Sequence, residues 1–128
     1  MLLIYHKEKM FDDYKDNMIF TDNETGDKFI FHRKTWLYII FGILTHYLRY
    51  TDDYAEKIIN ESFLCSKEEL NFHSVGMLCH DEEYHWAMLL VHGDNYWNHG
   101  FNIEFPDDYY IWMDSYIKNN NLKLNICD

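Results

Sequence analysis

Between Arg33 and Tyr50 apolar side chains recur three and four positions apart, a spacing that predicts the central helix of the fold. Trp36, Ile40, Ile43, Leu44 and Tyr47 form the stripe, and Leu37, Phe41 and Leu48 widen it to most of the circumference. Thr51-Asp52-Asp53 reads as a break and a fresh N-cap. The helix it opens is expected to bury Tyr54, Ala55, Ile58, Ile59 and Phe63 and to leave Glu56, Lys57, Asn60 and Glu61 in water. Ser66-Lys67-Glu68-Glu69 has the capping-box spacing, enough for a short turn. Asp81-Glu82-Glu83 then leads into the apolar run Tyr84–Val91, with Gly93 placed to end a buried helix; a central strand also fits so short a run. Pro106-Asp107-Asp108 starts the last helix, with Tyr109, Trp112, Met113 and Tyr116 inside and Asn119-Asn120-Asn121 as its stop. The tail from Leu122 to Ile126 alternates, so it docks as a strand or frays.

Ahead of these helices the period changes. Asn17–Thr21 and Lys28–Phe31 are short aromatic and β-branched runs around the polar, Gly-containing stretch Asp22–Asp27, the pattern of a hairpin. The expected fold is mainly α: a compact single domain over residues 1–128 with a small N-terminal β-hairpin, α+β being the alternative. A length of 128 residues is one domain's worth of chain, and no repeat or Pro/Gly/Ser linker divides it. Aromatics make up 19% of the residues, which lets so short a chain build a substantial core.

Charge changes the picture of what the domain meets. With 22 acidic and 11 basic residues the formal net charge is −11, which repels phosphate backbones and favours basic partners. Solubility alone is the competing explanation. The longest apolar run, Trp36 to Leu44, is about nine residues, well short of the roughly 20 needed for a membrane span. Met1–Tyr5 lacks the basic region and long apolar core of a signal peptide. Cys65, Cys79 and Cys127 are widely spaced and form no CxxC pair, which points to a reducing, cytoplasmic compartment.

Chemistry is harder to find. His80 and His85 are five apart, about 140° around a helix, and not the four that would place two zinc ligands on one face. Glu82 and His85 have the Glu-x-x-His spacing of carboxylate-bridged metal helices, but no second copy exists. Cys79 beside His80 sits in the apolar stretch Val75–Cys79, where a cysteine reads as a small core hydrophobe rather than a nucleophile. No GxSxG elbow and no phosphate-binding glycine loop is present. The Asp22–Asp27 loop departs from a calcium loop, since its twelfth position is Arg33 and not Glu. No catalytic residue, metal ligand or cofactor site is therefore assigned.

Acids at expected helix starts, Asp52-Asp53, Asp81-Glu82-Glu83 and Asp107-Asp108, are explained by the helix dipole. Asp12, Asp13, Asp16, Asp22, Glu24 and Asp27 are not, and they form the candidate acidic contact surface. Tyr96, Trp97 and Tyr110 are the candidate aromatic anchors, because Tyr and Trp supply many interface hot spots.

Tyr84-His85-Trp86-Ala87-Met88-Leu89-Leu90, followed by Tyr96-Trp97, resembles segments of the small immunity proteins of bacterial polymorphic-toxin and contact-dependent growth inhibition systems. The resemblance covers about a third of the chain and carries over no functional residue. It implies a cytoplasmic antitoxin, monomeric when free, that binds one cognate protein toxin, often a nuclease, and blocks its active site or substrate surface. A nuclease cleft is basic because it holds phosphates, so an acidic inhibitor suits it. Two other readings stand beside it: an acidic nucleic-acid mimic that inhibits a host nuclease or DNA-binding protein, and a small metal enzyme built on His80, His85 and Glu82.

Overall fold

The computed structural model describes residues 10–66, 68–101 and 104–123. The hairpin is present: β1 (Met18–Thr21) pairs antiparallel with β2 (Lys28–Phe31), Met18 opposite Phe31 and Thr21 opposite Lys28. Its turn is closed by Asp22 N–H donating to Asp27 O and Gly26 N–H donating to Asp22 O, each at 2.8 Å. Gly26 sits at φ +79°, a region in which a side chain would be strained.

α1 (Arg33–His46) is the central helix, buried from Trp36 through Leu44. It starts with no acid in its first turn and no capping side chain at His32. Asp16 does that work from a distance: Oδ1 accepts the Thr35 N–H at 2.9 Å and Oδ2 accepts the Thr35 hydroxyl at 3.0 Å. The helix ends before the predicted Tyr50, because the chain reverses through Arg49 at φ +65° and Tyr50 N–H bonds back to Leu44 O.

α2 (Asp52–Asn60) opens as expected, Thr51 Oγ1 accepting the Tyr54 N–H and two aspartates filling the first turn. Only Ala55 and Ile59 are fully buried; Tyr54 and Phe63 are exposed, against expectation. Tyr54 lies one step around from the 55/59 stripe and tilts against Tyr50, with ring centroids 5.4 Å apart. Phe63 falls beyond the helix end, in a 3-10 turn over Phe63–Cys65 that sends Leu64 inward.

α3 (Phe72–His80) was not predicted. Its capping box is Asn71 and Ser74, each side chain taking the other's backbone N–H at 2.9 and 2.8 Å. Ser66, the sequence candidate, opens no helix: its hydroxyl accepts the Glu68 N–H in a local turn. α4 (Glu83–His92) follows and ends at Gly93, φ +80°, so the Tyr84–Val91 run is a helix and not a strand. After a 3-10 turn over Tyr96–His99, α5 (Tyr109–Asn119) completes the described chain. The alternation expected over Leu122–Ile126 lies mostly outside the described residues.

α1 is contacted by α2, α4 and α5, and the hairpin rests against α3. The α1–α5 approach is close because Gly42 has no side chain where the Tyr116 and Trp112 rings cross it, and the Tyr116 hydroxyl donates to Tyr38 O at 2.8 Å. The fold is mainly α with a small N-terminal hairpin. No helix among the described residues is long and apolar enough to cross a membrane.

Candidate functional site

The six candidate acids divide by what the fold asks of them. Asp16 is half-buried and caps α1, so it leaves the contact set. The sequence gives no hint of this, because the capped helix starts 17 positions further on. Asp12 pairs with Lys34 at 3.3 Å. Asp22 accepts the Glu24 N–H at 2.9 Å, and that bond holds its carboxyl below the usual range. Asp13, Glu24 and Asp27 are exposed, and their carboxylates take part in no ion pair among the described residues.

The three aromatic candidates also separate. Tyr96 is fully buried, its ring in the core and its hydroxyl 2.8 Å from His85 Nδ1. It is therefore corrected from anchor to core residue: in a 3-10 turn two neighbouring side chains point different ways, and Tyr96 is the one with an internal partner for its hydroxyl. Trp97 is 41% exposed and lies beside His85, and Tyr110 is 55% exposed near Glu82 and Glu83. Burial and then those two carboxylates raise the Tyr110 pKa.

Glu83 departs from the dipole explanation given to its cluster. It opens α4, as expected, but is buried, and desolvation pushes its carboxyl up to about 7. Tyr109 beside it is raised too, first by burial and then by the Glu83 charge. Asp81 and Glu82 occupy the break between α3 and α4, so His80 and His85 belong to different helices and the single-helix geometry does not apply. His85 Nε2 lies 3.8 Å from Asp81 Oδ2. Among the described residues no group of three or more His, Cys, Asp or Glu side chains is placed to hold a metal ion.

Cys79 is disulfide-bonded, whereas the cysteine spacing led to an expectation of reduced thiols throughout. Spacing along a chain says nothing of which sulfurs the fold brings together. Cys65 remains a thiol in the core.

One surface was missed by sequence reasoning because α3 was missed. Met77 stands 73% exposed on α3, and Phe63 is 58% exposed across from it. A groove of about 620 Å³ runs between them with half-buried Trp86 in its wall. A second, of about 360 Å³, lies on the other flank of Met77 against Phe29 of the hairpin.

Compared with known proteins, the chain matches no family model, no curated protein and no solved structure.

Proposed function

We propose that this chain is an immunity protein: it binds a cognate, basic toxin domain of nuclease type and blocks its active site or substrate surface. The observation that carries the reading is the set Asp13, Glu24 and Asp27, three exposed carboxylates the fold does not use, on a chain of net charge −11. Exposed acids of this kind steer a basic partner to the surface and act mainly on the association rate. Of the three candidate anchors, Trp97 and Tyr110 are left accessible to hold it.

The role implies a monomer in the cytoplasm. The disulfide at Cys79 weighs against a reducing compartment, where such bonds are rare. Alkylation of Cys79 in intact cells tests that point: a labelled thiol fits the cytoplasm, and an unreactive one places the protein elsewhere.

The deciding experiment is co-expression with the secreted toxin encoded by the adjacent reading frame. Wild type restores growth and co-purifies with it. The triple variant Asp13→Lys/Glu24→Lys/Asp27→Lys keeps its melting temperature, because none of these carboxylates makes a structural bond, but associates more slowly and with a weaker salt dependence. If that variant binds at the wild-type rate, the steering set is wrong. If the chain protects against no basic toxin, the immunity reading goes.

A further inference from the structure

We infer that the two grooves flanking Met77 on α3 form the docking surface for a basic, amphipathic segment of a protein partner, an inference that rests on the binding role above and says where the partner sits. Single exposed apolar residues are ordinary on a protein surface. Here Met77 and Trp86 line both grooves, so the exposed Met77 and Phe63 belong to one continuous patch and are not isolated. Methionine is the side chain best able to adapt to an incoming apolar surface.

The grooves are built and held open. The Trp86 indole N–H donates to Leu78 O at 2.9 Å, and its ring meets Trp36 and Phe63 edge-on at 6.3 and 5.8 Å. Arg33, 8% exposed at the base of the larger groove, donates to Leu64 O at 2.8 Å and Ser66 O at 3.3 Å, and lies over the Tyr14 ring at 4.8 Å. Those bonds hold Leu64 and Ser66 in the groove wall, which lowers the ordering a partner has to impose.

Charge chooses the occupant. Glu61, Glu68 and Glu69 line the larger groove and Asp81 the smaller. Among the described lining residues, with His counted as neutral, the cation is Arg33, which is buried and whose Nη2 donates to the Leu64 and Ser66 carbonyls. The acidic turn continues this rim, since the hairpin packs on α3 and Asp22 lies close to His73. An apolar face flanked by Lys and Arg matches such a rim, in the manner of an amphipathic helix laid in a groove. A second copy of this chain does not match it, because at −11 each copy brings the same acidic rim.

The test uses the full chain and two synthetic amphipathic helices with the same leucine pattern, one carrying Lys and the other Glu on its polar face. Fluorescence anisotropy measures binding and amide NMR shifts locate it. The Lys helix binds and shifts amides around α3, and the Glu helix does not. Met77→Lys and Glu61→Lys/Glu68→Lys/Glu69→Lys each weaken the complex by about tenfold or more, while Asp114→Lys on α5 leaves it unchanged. Phe63→Ser gives a second, independent loss of apolar contact should Met77→Lys lower the melting temperature. The proposal is overturned if both helices bind alike, or if Asp114→Lys weakens binding as much as the groove variants. It is also overturned if the free chain sediments as a dimer that Met77→Lys dissociates. If Met77→Lys neutralises the toxin with wild-type affinity, the groove is wrong and the immunity role stands. If no toxin is neutralised while the Lys helix maps to α3, the groove stands and the immunity role falls.

Discussion

Replacing Gly42 by alanine should destabilise the protein although alanine is the better helix former. A glycine in the middle of a helix costs about 1 kcal/mol relative to alanine, so propensity alone predicts a gain of that size. Against it, a Cβ at position 42 would stand 2.7 Å from Tyr116 Cζ, 2.8 Å from Cε1 and 2.9 Å from Trp112 Cζ2. Carbon atoms in contact prefer roughly 3.5–4.0 Å. The Tyr116 ring cannot simply swing away, because its hydroxyl is bonded to Tyr38 O at 2.8 Å. Overpacking of this kind costs about 1–3 kcal/mol, and loss of the hydroxyl bond adds about 1 kcal/mol. The net expectation is a loss of about 1–3 kcal/mol, read as a lower urea midpoint with an unchanged slope. Gly76 supplies the control, since a Cβ there meets only Phe29 Cε2 at an ordinary 3.6 Å. Gly76→Ala should therefore stabilise α3 by up to about 1 kcal/mol. Tyr116→Leu, which removes the crossing ring, should reduce the penalty of the second change in a double-mutant cycle. A Gly42→Ala protein as stable as wild type would refute the close approach of α1 and α5.

Three further outcomes follow from single residues. Glu83 has a folded pKa of about 7 against an unfolded value of 4.5, so the folded state holds its proton more tightly. Its stability is fully present below the unfolded value and falls as pH rises through 7, by roughly 3 kcal/mol in all. Glu83→Gln should thus be more stable than wild type at about pH 8 and little different at about pH 4; equal gains at both, measured by denaturation, would show that the carboxyl is not desolvated. Asp16→Ala should cost about 1–2 kcal/mol by removing the cap on Thr35, and an unchanged urea midpoint would return Asp16 to the surface set. Reducing the disulfide of Cys79 should lower stability by about 2–4 kcal/mol, and a melting temperature unaffected by dithiothreitol would show that the bond constrains nothing.

The hairpin and α1 were legible because each announces its own period: alternating aromatic and β-branched residues around a glycine turn, then apolar residues three and four apart over four turns. α3 was not, because Phe72–His80 is only nine residues, carries a glycine, and takes its cap from Asn71 with Ser74 in place of the usual Glu. The Ser66–Glu69 spacing drew attention to a turn that opens no helix. Missing α3 hid the grooves as well: Met77 has no face until α3 is placed, and Phe63 reads as buried until its helix is seen to end before it. Tyr96 and Trp97 illustrate a limit of a different kind. Adjacent aromatics in an irregular segment have no period to say which is inside, and only the hydroxyl's bond to His85 settles it.

Acid content overstates the field that a partner meets, because a carboxylate steers only where it is exposed and uncommitted. Asp16 is spent on Thr35, Asp12 is offset by Lys34, and Glu83 is buried with a pKa that leaves much of its charge absent near neutrality. Asp52 does stand in the first turn of its helix, where the dipole accounts for it. Among the acids these subtractions leave exposed, Glu24 and Asp27 lie in the hairpin turn and Glu61, Glu68 and Glu69 beside the larger groove, while Asp13, Asp94, Asp107 and Asp114 lie on other segments. Screening confines each charge to about 8 Å at physiological salt, so clusters on neighbouring elements reinforce one another while isolated acids do not. The hairpin rests on α3, which brings the acidic turn to the grooves. A basic partner of the kind proposed, drawn by the turn, would therefore arrive at apolar surface.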